Sequence, residues 1–182
     1  MYRSSAFKIP PPAAPLTAAE RDAIISAATS GLVREFDKME KISFYSARGN
    51  FDRNERITAY IAIPEKGAPI FRILIRYFGD SWIFFNKVKI MSDDVISYDS
   101  YFSFDEVKKN NAYNSVWETL DFPARKKDID VMRKIVSANK TSIRLAGNDR
   151  RDDHDLTFNE IVRIHTVLIA FDGLSKLGRF DF

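Results

Sequence analysis

Few residues in this chain have the types and spacing that chemistry needs, and its two histidines come first. His154 stands in Arg150-Arg151-Asp152-Asp153-His154-Asp155, the densest polar run of the sequence. Carboxylates beside an imidazole are the ligand types of a divalent metal site, but one histidine among adjacent aspartates has no established ligand spacing. The run is therefore expected to be a solvated loop whose acidic groups precede a helix N-terminus. His165 falls inside an apolar helical arc with Phe158, Ile161 and Ile169, which predicts a hydrogen-bonded interior histidine rather than a catalytic base. The adjacent carboxylates Asp93-Asp94 are expected in an exposed turn. Because the sequence contains no cysteine, it excludes disulfides, thiolate nucleophiles and thiolate zinc sites. It also carries no glycine-rich phosphate loop, nucleophile elbow or zinc-protease helix motif. We assign no catalytic, metal or cofactor residue, and the expected activity is binding rather than catalysis.

Basic and aromatic side chains are the remaining candidates for contact with a partner. Arg72, Arg76 and Phe78 alternate along one strand and project on one face, and Lys87 and Lys89 share a face of the next. Together with Arg150, Arg151 and His154 they form the candidate partner-binding set. A basic, aromatic sheet face is how some proteins hold single-stranded nucleic acid, by stacking bases on rings and pairing phosphates with cations. A sheet covered on both sides demands the same alternation, and no nucleic-acid motif matches. The chain has 28 Lys and Arg against 25 Asp and Glu, a net charge of +3, and the two signs are interspersed, as on a mixed solvated surface. The expected role is thus a non-enzymatic protein-binding or assembly module with another protein as partner, and the alternative is a nucleic-acid-associated or phage-encoded effector or inhibitor.

These residues must be positioned by strands. Between Pro69 and Met91, two β-branched and aromatic runs meet at Gly79-Asp80-Ser81, which predicts a central hairpin that holds Trp82 in the core. Strands are expected over 41–48, 56–64, 70–78, 82–91 and 95–104, and a further one over 113–122 that buries Trp117. Their short spacings require antiparallel pairing. A proline-rich tether is expected over 1–16, a helix over 17–36 opened by the capping box Thr17-Ala18-Ala19-Glu20, and one β-rich domain over 37–178 with a tail at 179–182. Within that domain a short helix follows Pro123, a strand spans 141–146, and a second capping box, Thr157-Phe158-Asn159-Glu160, opens the most apolar helix. Phe158, Ile161, Val162, Ile164, Leu168, Ile169 and Phe171 are all expected to face the sheet from it. The fold class is α+β, a sandwich-like antiparallel sheet core with an N-terminal helix, a short helix after the sheet and a long C-terminal helix.

The order Phe71-Arg72-Ile73-Leu74-Ile75-Arg76-Tyr77, Gly79-Asp80-Ser81-Trp82-Ile83-Phe84-Phe85, Val107 with Asn110, Val116-Trp117-Glu118, Ile143-Arg144-Leu145-Ala146-Gly147 and Asp153 through Thr157 resembles a group of uncharacterised bacterial extracytoplasmic or lipoprotein-type domains. The resemblance spans about Met39 to Phe171 and implies a compact β-sandwich-like core with a C-terminal helix, and no activity. Longest apolar runs of only a few residues predict no transmembrane helix. As written, the chain is expected in the cytoplasm, or at the cell envelope if an export or lipid-attachment segment has been removed.

Overall fold

The computed structural model describes residues 16–49 and 53–177. The tether expected over 1–16, apart from Leu16, and the tail expected over 179–182 lie outside the described residues. The chain runs α1 (Ala18–Ala28), β1 (Val33–Asp37), β2 (Ile42–Ser46), β3 (Ile57–Pro64), β4 (Ile70–Gly79), β5 (Lys87–Ser92), β6 (Val95–Tyr101), β7 (Val107–Ala112), β8 (Ser115–Pro123), α2 (Lys126–Ser137), β9 (Thr141–Ala146), β10 (Arg151–Asp155) and α3 (Phe158–Gly173), followed by a 3-10 turn, Leu174–Leu177. This is the α+β class expected, with every strand pair antiparallel. Among the described residues, no helix is long and apolar enough to cross a membrane.

The strands form two sheets, a six-stranded one ordered β1-β2-β3-β4-β8-β7 and a four-stranded one ordered β10-β9-β5-β6. The central hairpin expected between Pro69 and Met91 does not form. β4 pairs with β3 and β8, while β5 pairs with β6 and β9 in the other sheet. Residues 80–86 leave the first sheet and enter the second, so the stretch read as one strand over 82–91 is a connection followed by a shorter strand. At Asp93-Asp94 both residues have positive φ, 46° and 62°, the backbone that a tight hairpin turn requires. The exposed turn expected there is present.

Phe71, Ile73, Ile75 and Tyr77 of β4 are buried on one face of the large sheet with Ile57, Ala59 and Ile61 of β3. α3 lies against β3 and adds Ile164, Val167, Leu168 and Phe171 to the same core. Phe71 meets Phe171 edge to face, with centroids 5.2 Å apart at 72°, a preferred geometry for aromatic pairs. The first helix stops at Ala28, well short of the expected 36, because Val33–Asp37 is an edge strand paired with β2. Its Thr17–Glu20 capping box is formed, as is the Thr157–Glu160 box of α3. Besides β1, two strands, β7 and β10, stand where no strand was expected. Both are polar edge strands, so neither carries the apolar alternation that reveals a strand in sequence.

Candidate functional site

Among the described residues the connection from Asp80 to Phe85 has no ladder partner, the backbone of Asn86 bonding already to Ala146 and Phe102, and a carboxylate supplies what a strand would have given. Glu118 on β8 is fully buried, at 0% exposure. Its Oε1 accepts the N–H groups of Ile83 and Phe84, each at 2.8 Å, and its Oε2 accepts that of Phe85 at 2.8 Å. Charge-assisted bonds of this kind are about twice as strong as neutral ones, which is how a carboxylate tolerates complete burial. The grip turns the chain through a left-handed residue, Phe84, at φ 50°. Non-glycine residues rarely adopt that backbone, and such strain persists only where the surroundings hold it. Ile83 and Phe85 consequently point into the core, while Phe84 points outward, 50% exposed.

Two further contacts fix the connection. The Tyr77 hydroxyl donates to the Ser81 carbonyl at 3.0 Å. Gly147, at the end of β9, lies so close that a Cβ there would stand 1.9 Å from the Ile83 carbonyl oxygen. Glycine is required by that close approach.

The exposed product is an aromatic shelf. Trp82 and Phe84 stack with centroids 5.7 Å apart at 17°, along one wall of an open cavity of about 910 Å³. Phe104 and Val116 also line it, with the polar side chains of Asp80, Asn86, Asn148, Asp149 and Arg150. Phe104 is exposed and covered on one side by the Lys109 ammonium, 3.4 Å from its ring centroid. Among the described residues, none of those five polar side chains makes a hydrogen bond or ion pair within the chain. A cleft with an aromatic wall and uncommitted amide, carboxylate and guanidinium groups can clamp a flat or apolar group and hydrogen-bond what surrounds it.

The residues singled out in the sequence do not converge. Arg72, Arg76 and Phe78 do share the outer face of the large sheet. Arg72 is bound to Asp121 at 3.0 Å, and its Nε–H also donates to the Tyr60 hydroxyl at 2.8 Å. That hydroxyl in turn donates to Asp121 at 2.7 Å; burial first, and the neighbouring carboxylate second, raise the Tyr60 phenol far above its ordinary range. Phe78 stacks on Trp117 at 6.4 Å, and the Arg53 guanidinium sits 5.0 Å from its ring. Lys87 and Lys89 lie on the other sheet, both paired with Asp99 at 3.2 Å. Arg151 reaches Asp153 at 3.7 Å. Of the eight, only Arg150 lines the cleft.

Trp82 and Trp117 are half-buried rather than buried: Trp82 lies in the connection between the sheets, stacked on Phe84, and Trp117 lies on the outer face of β8, stacked on Phe78. The expectations for the histidines change more. His165 is exposed on α3. His154 belongs to β10, not to a loop, and its Nε2 lies 2.8 Å from Glu160 Oε2. Beside it, Asp152 pairs with Arg56 at 2.5 Å. The Glu160 carboxylate also accepts the N–H groups of Arg56 (2.9 Å) and Thr157 (2.8 Å), tying α3 to both sheets. Among the described residues there is no group of three or more His, Cys, Asp or Glu side chains that could hold a metal ion.

Burial raises the Glu160 carboxyl, but the bonds from His154, Thr157 and Arg56 outweigh it, and the group lies below its ordinary value. A carboxyl lowered in the folded state stabilises the protein above its unfolded value and loses that contribution as pH falls through the folded one. Urea titrations across pH should therefore show wild type well above Glu160→Gln at about pH 6, with the gap closing below about pH 4. A gap that stays constant with pH would remove this assignment.

No family model, no curated protein and no solved structure matches this chain.

Proposed function

We propose that this protein is a non-enzymatic protein-binding module that takes an apolar side chain of its partner against the Trp82–Phe84 shelf, with Asp80, Asn86, Asn148, Asp149 and Arg150 bonding the partner's backbone. One observation carries the reading: a fully buried carboxylate, Glu118, holds an exposed aromatic ring in a strained backbone. Preorganised aromatic groups with small ordering cost are what protein interfaces use as anchors. The resemblance to extracytoplasmic domains implies no activity, and the cleft supplies a reading of its own.

The cations bear on the choice between protein and nucleic acid. Arg72 is matched by Asp121, Lys87 and Lys89 share Asp99, Arg151 shares Asp153 with Arg144, and the cleft sets Asp80 and Asp149 against Arg150. Phosphate recognition calls for unmatched positive charge. Immobilised wild-type protein and Phe84→Ser should be compared for retention of a partner from the native cell. The expected result is a protein retained by wild type and reduced at least about tenfold by Phe84→Ser, the size of one anchor residue. Retention unchanged in the variant moves the site away from the cleft. A ligand that proves to be an oligonucleotide, with affinity falling steeply with salt, replaces this reading by the nucleic-acid one.

A further inference from the structure

Two strand edges are left open near one end of the molecule, and a cavity lies between them. β8 runs to Pro123, but β7 pairs with it only as far as Leu120, opposite Val107. Among the described residues, positions 121–123 thus have β4 on one side and no strand on the other. β6, the outermost strand of the smaller sheet, has β5 alone as its neighbour. The cavity there is open, holds about 700 Å³ and shares no lining residue with the Trp82–Phe84 cleft. Tyr98, Tyr101, Phe102 and Phe122 all line it, and the rings of Phe102 and Phe122 meet at 5.7 Å. Arg125 and Lys127 line it too, and among the described residues neither side chain makes a hydrogen bond or ion pair.

We propose that this groove is a polyproline-recognition site and that its occupant is the chain's own segment Ile9-Pro10-Pro11-Pro12-Ala13-Ala14-Pro15. Aromatic-lined grooves take proline-rich segments because the polyproline II backbone is extended beforehand, so little entropy is lost on binding. The carbonyls of such a segment bond to nothing within it. Arg125 and Lys127 supply donors for them. The segment carries no charge, so docking it desolvates none. The described chain also begins beside the groove. Arg21, in the first turn of α1, donates through Nη2 to the carbonyls of Gly67 at 2.9 Å and Pro64 at 3.2 Å, and the next residues, Ala68 and Pro69, line the cavity. From that turn the way across β4 to β8 is about two strand spacings of roughly 4.8 Å. A segment of this length in polyproline II reaches about 20 Å, enough to cross the groove. Tethering holds it at a local concentration on the order of millimolar, so weak contacts suffice.

The absence of cysteine from the chain lets paired cysteines report the contact in the full chain. Ala13→Cys combined with Ser100→Cys, the latter in the groove, should close an intramolecular disulfide under mild oxidation. Ala13→Cys combined with His165→Cys, at an exposed position of α3, should do so at least about tenfold more slowly. Replacing Pro10, Pro11 and Pro12 together by serine should slow the Ser100 cross-link by about tenfold or more, because the segment is then no longer ordered beforehand. In the chain without cysteines, nuclear Overhauser contacts should run from the proline rings of the segment to the rings of Phe122 or Tyr98, whatever the register along the groove. Either the Ser100 cross-link or these contacts sustains the assignment, and the absence of both overturns it. Equal rates at Ser100 and His165 overturn it too, as does a rate that the serine replacements leave untouched. A cross-link found only between two chains rules out the chain's own segment as the occupant.

Discussion

Replacing Glu118 by alanine is expected to cost about 4 kcal/mol or more, because it strands buried N–H groups that cannot reach water, each with a penalty of about 1–3 kcal/mol. Those groups are the amides of Ile83 and Phe85, and the partly buried amide of Phe84 loses the same acceptor, because Glu118 provides both carboxylate oxygens for all three. The damage should not be confined to stability. Without the carboxylate no hydrogen bond holds the amides on either side of the positive-φ Phe84, so the shelf should relax toward ordinary backbone and the cleft should lose its shape. Glu118→Gln is the sharper probe. Its amide oxygen can accept from the connection, but its NH₂ group would face a donor, so it should recover only part of the stability. Chemical denaturation of both variants measures the first effect, and the fluorescence of Trp82, stacked on Phe84, reports the second. A loss below about 1 kcal/mol for Glu118→Ala would mean that the connection has another anchor.

Phe71→Ala should be comparably severe, at about 4 kcal/mol, the usual cost of deleting a buried phenylalanine. Phe71 is 1% exposed and joins the large sheet to α3 through Phe171. A cavity there opens between two layers that cannot collapse without moving a helix. The matched control is Phe158→Ala on the same helix, whose ring is on the surface; it should change stability by no more than about 0.5 kcal/mol. Urea denaturation midpoints separate the two. Equal losses would contradict the placement of one ring in the core and the other outside it.

Both effects depend on which way a side chain faces, and that marks how far the sequence could be read. Local rules identified what local interactions decide. The two capping boxes, the turn at Asp93-Asp94, the alternation of Arg72, Leu74, Arg76 and Phe78 on one face, and the apolar strands β3 and β4 each rest on residues within a few positions of one another. The antiparallel α+β class followed from short connections alone.

Partnership between distant segments was not legible. The run around Gly79 resembles a hairpin because alternation describes a strand's faces and not its neighbours, so it could not show that β5 pairs with β9 and β6 instead of β4. Helical periodicity marked α3 as apolar over more than half its surface, but a wheel has no outside until sheet and helices pack around it; Phe158, Val162 and Ile169 emerged on the uncovered side and His165 with them. The cleft is the extreme case. Its shelf, the carboxylate that holds it and the glycine that admits it come from residues 82–84, 118 and 147. A buried acid in a strand looks like any surface glutamate in sequence. Only the fold, by removing water from Glu118 and leaving three amides as its partners, gave that residue its role.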